Sequence, residues 1–362
     1  MQELIWANLK ARPVRTLLSV AAVALQVFLL LFLMGLTTGI LQEWSKRVQG
    51  IGADLLVQPP NASIFLAFSS AVLPERQAQQ VSRVEGVKVV APAVAAVNTE
   101  GLSVIYGIDY ERFDQLGKGF LFLAGGPFQH AYDVIIDDIK ARSQRLKVGD
   151  RVRLWNADFQ VSGIVEHGRG ARYFVPLRTA QEILGVENRV SMFWVQTNGK
   201  TEAVRRELAR LLPRYQVRPV EEYMSLMVSD NLPEVRPFTR AVIVVGLLIT
   251  FLVILLSMYT IVLERTHEIG ILKALGASRW TITALFMRES LAIAFVGILL
   301  GVGSTYVVKS IVTSLRPTLS IVVTTDWLLQ ALGLALIGCL AGALYPALRA
   351  AGAEAATILA YE

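Results

Sequence analysis

The chain has 362 residues, of which 54% are hydrophobic, with a formal net charge of +6 and one cysteine. A single cysteine excludes a disulfide framework. The hydrophobic share exceeds the roughly 45–50% of ordinary soluble domains. The composition therefore favours a membrane protein over a soluble one.

Four apolar runs, each of 19 residues or more, contain no Asp, Glu, Lys, Arg or His. They are residues 17–41, 241–263, 290–308 and 327–348. A helix of roughly 20 residues crosses the hydrocarbon core of a bilayer, so each run is long enough to span it. Buried helices of a large soluble core are the alternative, but such helices rarely run this far without a charge.

The first run follows a basic start, as the core of a signal peptide would. Its apolar stretch is longer than the roughly 7 to 15 residues of a signal core, and no small-residue cleavage site follows it. We therefore expect an uncleaved membrane anchor.

Lys and Arg in the short loops indicate the orientation of the spans. One side receives eight of them: Lys10, Arg12, Arg15, Arg265, Lys273, Arg279, Arg288 and Arg349. The single short loop on the other side carries only Lys309 and Arg316. We expect a multi-pass protein of the cell inner (cytoplasmic) membrane with both termini in the cytoplasm. Much of the positive charge then serves topology, and nucleic acid is not an expected partner.

The residue ranges follow from these boundaries. We predict a cytoplasmic amphipathic helix at 1–14, membrane helices at 15–42, 239–263, 280–308 and 327–348, a large extracytoplasmic domain at 43–238, a cytoplasmic helix at 264–279, an extracytoplasmic loop at 309–326 and a cytoplasmic tail at 349–362.

The large domain at 43–238 is predicted to be α+β. Strands are expected at 88–97, 102–108 and 133–136, and a hairpin at 151–155 and 159–165 with its turn at 156–158. A helix is expected to begin at Pro74, another to end at Gly185, and a third to be capped by Thr201. We place a β-rich lobe around 53–65 and 85–175, and more helix in 66–84 and 176–225.

Three of the spans carry glycines four residues apart. The pairs are Gly35 and Gly39, Gly297 and Gly301, and Gly338 and Gly342. Small residues at this spacing let helix backbones approach closely in a membrane. Both packing within one protomer and a dimer interface fit this pattern.

The sequence offers no internal source of energy and no active site. Ion-coupled transport usually needs an ionisable group or a broken helix near the midplane, and the four runs contain no such charge. The phosphate-binding pattern G-x-x-x-x-G-K-[ST] does not occur. Histidines 130 and 167 stand apart, so no metal site is predicted.

The loop after the second run reads ERTHEIGILKALGASRW from residue 264 to residue 280. Glu264 and Glu268 would share one helix face, with Arg265 near enough to offset their repulsion. An apolar side follows at 271, 272 and 275, and Gly276 is a natural helix stop. The pattern predicts a short amphipathic helix at the membrane surface, which could merely link two spans.

This loop resembles the signature of the permease subunits of MacB/FtsX/LolC-type ABC transporters, also called type VII or mechanotransmission transporters. The resemblance extends to LKARPVRTLLSVAAVAL, VIYGIDYERF, LKVGDRVRLWNADFQVSGIV, FVPLRTAQEIL and YPALRAA, and to the arrangement of one span followed by three. The tail departs from the pattern, because Ala353 stands where relatives often have proline before the Glu-Ala pair.

The resemblance implies a MacB-like periplasmic core domain and a coupling helix that docks in a groove of a separate ABC ATPase subunit. The coupling helix would contain Glu264, Arg265, Glu268, Gly270, Lys273 and Gly276. ATP and Mg would bind to the ATPase, and no cofactor is expected in this chain. A second permease copy or a homologue, a membrane-fusion adaptor and an outer-membrane duct are further expected partners.

Two functions are compatible with this resemblance. The first is export or extraction of a lipoprotein, lipid, peptide or drug, driven by movement of the periplasmic domains. The second is an FtsX-like signalling relay that activates an extracellular cell-wall hydrolase. The size of the domain at 43–238, with its strands, hairpin and helices, favours the first.

Overall fold

A computed structural model describes residues 13–60, 73–98, 103–226, 235–315 and 318–352. The chain divides into two compact units. The first contains Met1–Thr38, Pro233–Leu315 and Ile321–Glu362, and the second contains Gly39–Leu232 and Arg316–Ser320. The predicted helix at 1–14 and most of the predicted tail lie outside the described residues.

The helices are numbered in chain order. They are α1 (Pro13–Ile51), α2 (Gln77–Ser82), α3 (Tyr110–Asp114), α4 (Asp138–Gln144), α5 (Leu177–Leu184), α6 (Thr201–Leu211), α7 (Val220–Leu226), α8 (Val235–Glu264), α9 (Thr266–Ala274), α10 (Arg279–Leu315) and α11 (Thr325–Gly352).

Four of these helices, α1, α8, α10 and α11, are long and apolar enough to cross a membrane. The predicted fold class, four membrane-length helices with an α+β domain after the first, is confirmed. Helix α1 continues to Ile51, beyond the predicted end of the span at residue 42. It stops there because Gly52 adopts a left-handed conformation, with φ of +78°.

The glycines of α10 and α11 lie against neighbouring helices of the same chain. A Cβ added at Gly301 would be 2.7 Å from the carbonyl oxygen of Ala24 on α1, and one added at Gly342 would be 2.8 Å from the carbonyl oxygen of Phe251 on α8. Backbones this close leave no room for a side chain. A Cβ at Gly297 would be 3.1 Å from the Val20 carbonyl oxygen on α1, whereas a Cβ at Gly338 would meet the Thr250 side chain on α8 at 3.1 Å.

Polar side chains also connect the helices of the first unit. Ser19 donates to or accepts from Ser257 at 2.8 Å, and the Ser290 hydroxyl donates to the Cys339 carbonyl at 2.9 Å. The Thr250 hydroxyl donates to the Gln26 side chain. Inside a membrane such bonds add to packing because water cannot replace them.

The second unit is built on a ten-stranded sheet and a two-stranded sheet. The strands are β1 (Leu55–Gln58), β2 (Leu73–Pro74), β3 (Val87–Asn98), β4 (Ser103–Ile108), β5 (Phe122–Gly125), β6 (Asp133–Asp137), β7 (Arg151–Leu154), β8 (Ala157–Val165), β9 (Tyr173–Pro176), β10 (Arg189–Val190), β11 (Met192–Thr197) and β12 (Gln216–Pro219).

The large sheet is mixed. Nine of its strands follow the order β12-β1-β11-β3-β4-β9-β6-β8-β5, and the tenth, β7, pairs with β8. In the small sheet β10 pairs with β2. The pairs β4–β9 and β6–β8 are parallel, and the others are antiparallel. Parallel neighbours require crossover connections, so a simple series of hairpins cannot produce this sheet.

Three local predictions need correction. The hairpin turns at Trp155 and Asn156, one residue earlier than expected, because these two residues adopt positive φ values of 49° and 64°. Pro74 ends a short strand and α2 begins only at Gln77. The Thr201 hydroxyl contacts the Thr197 hydroxyl at 2.9 Å and does not cap α6. Gly185 does end α5, with φ of +66°.

We expect Gly301→Leu to destabilise the first unit, because the new side chain would have to displace the α1 backbone at Ala24. Overpacking of this kind costs about 1–3 kcal/mol. Thermal unfolding of the detergent-solubilised chain should show a lower Tm. Gly303→Leu on the same helix is the matched control, since a Cβ there meets nothing within 4 Å. Equal Tm values for the two variants would contradict the close packing.

Candidate functional site

The short helix α9 lies between two membrane-length helices and is separated from each by a local break. At its start, Arg265 leaves the helical conformation, with φ of −106° and ψ of 17°. At its end, Gly276 takes φ of +91°, and the Ser278 hydroxyl then accepts the Thr281 N–H at 3.1 Å, which caps α10. A short helix, a glycine stop and a serine cap are therefore present where the sequence predicts them.

Helix α9 buries one face and exposes the other. Ile269 and Gly270 are buried. Exposed apolar side chains on α9 and in the residues that follow it form what we call the apolar patch: Ile271, Leu272, Leu275 and Trp280. Leu275 is the C-cap residue of α9 and Trp280 is the second residue of α10, and they are 80% and 81% exposed.

Two polar links attach α9 to the longer helices. Arg265 lies 3.9 Å from the carboxylate of Glu289 on α10 and the same distance from Glu268. The Glu289 side chain is only 4% exposed, and its buried Oε2 has no hydrogen-bond partner among the described residues, so Arg265 at 3.9 Å is the nearby charge that offsets part of the cost of its burial. Lys273 donates to the Ala351 carbonyl at 2.7 Å in the last turn of α11, where a cation is favoured by the helix dipole.

The structure places the predicted coupling residues on both sides of the break at Arg265. Glu264 ends α8, whereas Glu268, Gly270 and Lys273 belong to α9 and Gly276 follows it. The expectation that Glu264 and Glu268 share one regular helix is wrong, because the chain turns between them. Both carboxylates are nevertheless exposed.

The remaining predicted residues, the first glycine pair, lie in α1. Gly39 is buried, and the Gly35 carbonyl accepts the Val322 N–H at 2.9 Å. A Cβ at Gly35 would be 3.1 Å from the Ile321 side chain. Gly35 therefore lies against residues of its own chain.

The sequence interpretation missed Glu289 and the Ala351 carbonyl. Glu289 stands immediately before the third apolar run. A signal for it exists, since Arg265 and Glu289 have opposite charges and bound neighbouring spans on the same side. The Ala351 carbonyl has no such signal, because any backbone carbonyl near a helix end could accept Lys273.

These features define a class of protein: a multi-pass membrane protein with one large α+β domain inserted after its first span and a short amphipathic helix between its second and third. Residues 16–211 match the family model described as MacB-like periplasmic core domain, and residues 240–355 match FtsX-like permease C-terminal. The chain belongs to the MacB/FtsX-type family of ABC transporter permeases, and its large domain is the periplasmic core domain.

Among curated proteins, the macrolide export ATP-binding/permease protein MacB of Rhodospirillum rubrum is 27% identical over 333 residues, which cover 82% of this chain and 50% of that protein. The protein of the same name from Bdellovibrio bacteriovorus is 24% identical over 399 residues, covering 98% of this chain and 60% of that one. The chain thus spans about half to 60% of the length of these relatives.

Among solved structures, the periplasmic region of MacB from Actinobacillus actinomycetemcomitans is similar with a TM-score of 0.38 and 16% identity. That match covers 50% of this chain and 95% of the crystallised one.

We expect Arg265→Met to destabilise the first unit, because it leaves the buried Glu289 carboxylate without a compensating charge. Breaking a buried pair from one side costs about 3–5 kcal/mol. Thermal unfolding of the full chain in detergent measures the loss. The double variant Arg265→Met with Glu289→Gln should recover most of it, and Glu268→Gln, at a side chain 69% exposed, should have little effect. Failure of the second substitution to rescue stability would contradict the pairing.

Proposed function

We propose that this chain is the transmembrane permease subunit of an ABC transporter and that α9 is the helix on which a separate ATPase subunit docks. The apolar patch carries the proposal. It combines four exposed apolar side chains with exposed carboxylates at Glu264 and Glu268, which suits a groove with an apolar floor and a polar rim.

The two links at Arg265 and Lys273 support a mechanical role for α9. A helix held only by its flanking loops could move without affecting the spans. Because α9 is tied to α10 through Glu289 and to α11 through Ala351, displacement of α9 would be resisted by both. In this proposal ATP binding and hydrolysis by the partner move α9, and with it the membrane helices.

The periplasmic domains would then change position and move a cargo by export or extraction. Curated relatives bear the printed name macrolide export ATP-binding/permease protein, which supports transport over a signalling relay. The proposed cargo is a lipoprotein, lipid, peptide or drug. A second permease copy or homologue, a membrane-fusion adaptor and an outer-membrane duct would complete the assembly.

The proposal requires α9 in the cytoplasm and the domain at 43–238 outside. Positive residues near the spans support that orientation. Separate cysteines at Ser278 and Arg151, both exposed, can be introduced into a Cys339→Ser background. We expect a membrane-impermeant maleimide to label Arg151→Cys on spheroplasts and Ser278→Cys only after permeabilisation. The reverse pattern, or labelling of both on spheroplasts, would contradict the orientation.

Docking of the ATPase on the apolar patch is tested by Leu275→Asp. A charge in an apolar contact should weaken binding by about 2 kcal/mol or more. Co-purification with the ABC ATPase encoded beside this chain, and titration of that ATPase in detergent, measure the effect. Leu315→Asp is a matched control, because it places the same charge at a leucine 73% exposed at the opposite end of α10. Equal binding by both variants would contradict docking on α9.

A further inference from the structure

Arg172 lies just before β9 and connects three separate segments of the second unit. Its guanidinium donates to the Asp137 carboxylate at 3.1 Å, to the Glu43 carboxylate on α1, and to the Thr318 carbonyl at 3.3 Å. Its side chain is only 7% exposed. We call Glu43, Arg47, Asp137, Arg172 and Thr318 the Arg172 joint.

Each carboxylate of the joint has a second polar partner besides Arg172. Glu43 also pairs with Arg47 one turn further along α1. Asp137 also accepts the Lys140 N–H at 2.6 Å and donates its own N–H to the Arg172 carbonyl at 3.0 Å. Burial raises the pKa of the Asp137 carboxyl and lowers the pKa of the Arg172 guanidinium. In such surroundings, a charge whose partner is lost is strongly destabilised.

Backbone contacts strengthen the same attachment. The Gly170 N–H donates to the Arg47 carbonyl at 2.8 Å. A Cβ at Gly50 would be 1.8 Å from the Gly168 carbonyl oxygen, and one at Gly52 would be 2.5 Å from the Gly117 Cα. At these two glycines the end of α1 therefore contacts two loops of the domain directly.

A hinge needs few contacts and residues free to change φ and ψ. The outer end of α1 and the loops it contacts contain glycines, but a buried ion-pair network and direct backbone contacts restrict their movement. Thr318 adds a further connection, since it lies in the segment between α10 and α11 and belongs to the same compact unit as the sheet.

We propose that Arg172 is a positioning residue that makes this junction rigid, so that displacement of α1 or of the loop segment at Thr318 passes to the periplasmic sheet without being absorbed. This inference rests on the proposed function, in which the domain is moved by the helices. Arg172 touches neither cargo nor nucleotide in this role and acts through Glu43, Asp137 and Thr318.

The rigidity can be measured without any partner. In a Cys339→Ser background, spin labels at Lys46→Cys on α1 and Arg151→Cys on β7, both exposed, report the distance across the joint in the full chain in nanodiscs. We expect Arg172→Met to widen the distance distribution about twofold. Arg142→Met, which removes the ion pair to Asp138 from an arginine 71% exposed, should leave it unchanged.

Coupling is measured on the complex with the ABC ATPase encoded beside this chain. Arg172→Met should retain ATPase binding. The equilibrium constant for the ATP-dependent distance change between the domains of the two permease copies should fall at least about fivefold, the lower limit of a typical allosteric coupling factor. Glu43→Gln, which keeps the Arg172–Asp137 pair, is the milder second variant in case Arg172→Met does not fold.

The possible outcomes separate the two proposals. An unchanged distance distribution in Arg172→Met and Glu43→Gln would overturn the rigid joint, as would a widened distribution with full ATP-dependent movement. Normal ATPase binding by Leu275→Asp would instead overturn docking on α9 and would leave the nanodisc result on the joint standing.

Discussion

Direct contact between backbones, made possible by glycine, is the interaction on which both units depend. Gly297 and Gly301 bring α10 against the backbone of α1, and Gly342 brings α11 against the backbone of α8. In a membrane the lipid chains are as apolar as leucine, so helices gain little from hiding apolar surface and much from close van der Waals contact. Gly50 makes the same kind of contact with a loop of the domain. The chain thus uses one device for association of its spans and for attachment of its domain.

Polar links then decide which elements can move independently. Arg265 and Lys273 connect α9 to α10 and α11, and Arg172 connects the end of α1 to the sheet. Each of these cations binds a partner far away in sequence. Since breaking one such link exposes a poorly solvated charge or carbonyl, the linked elements are expected to move as one body. This is the property that the proposed transmission of force requires.

The sequence predicts the spans and α9 well, because their signals are local. A charge-free run of membrane length, a glycine stop and a serine cap each act within a few residues. The Gly185 stop is predicted for the same reason. Local signals also limit the prediction, since neither the turn at Trp155 nor the strand at Pro74 follows from residue type alone. Pairing with β10 makes Leu73–Pro74 a strand, and no local pattern reveals that partner.

The order of strands and the ion-pair partners could not be predicted, because both depend on contacts distant in sequence. Glu43 and Arg172 are 129 residues apart, and one chain contains many carboxylates that could serve Arg172. Burial is what selects among them, and burial follows from the fold. The site on α9 was predictable as a helix with an apolar side. Its link to Glu289 has only the opposite charges of Arg265 and Glu289 as a signal, and its link to the Ala351 carbonyl has none.

These links bear on how energy could enter the molecule. The four apolar runs contain no Asp, Glu, Lys, Arg or His, so an ion held at the membrane midplane is a poor candidate for the driving force. Energy supplied at α9 would have to reach the domain through the helices themselves. A close-packed helix transmits displacement because its neighbours cannot rearrange gradually. For the proposed transmission of force, rigid contact at the glycines and at Arg172 then matters more than a continuous polar pathway through the membrane. In that proposal the periplasmic domain can move a cargo that never passes between the spans.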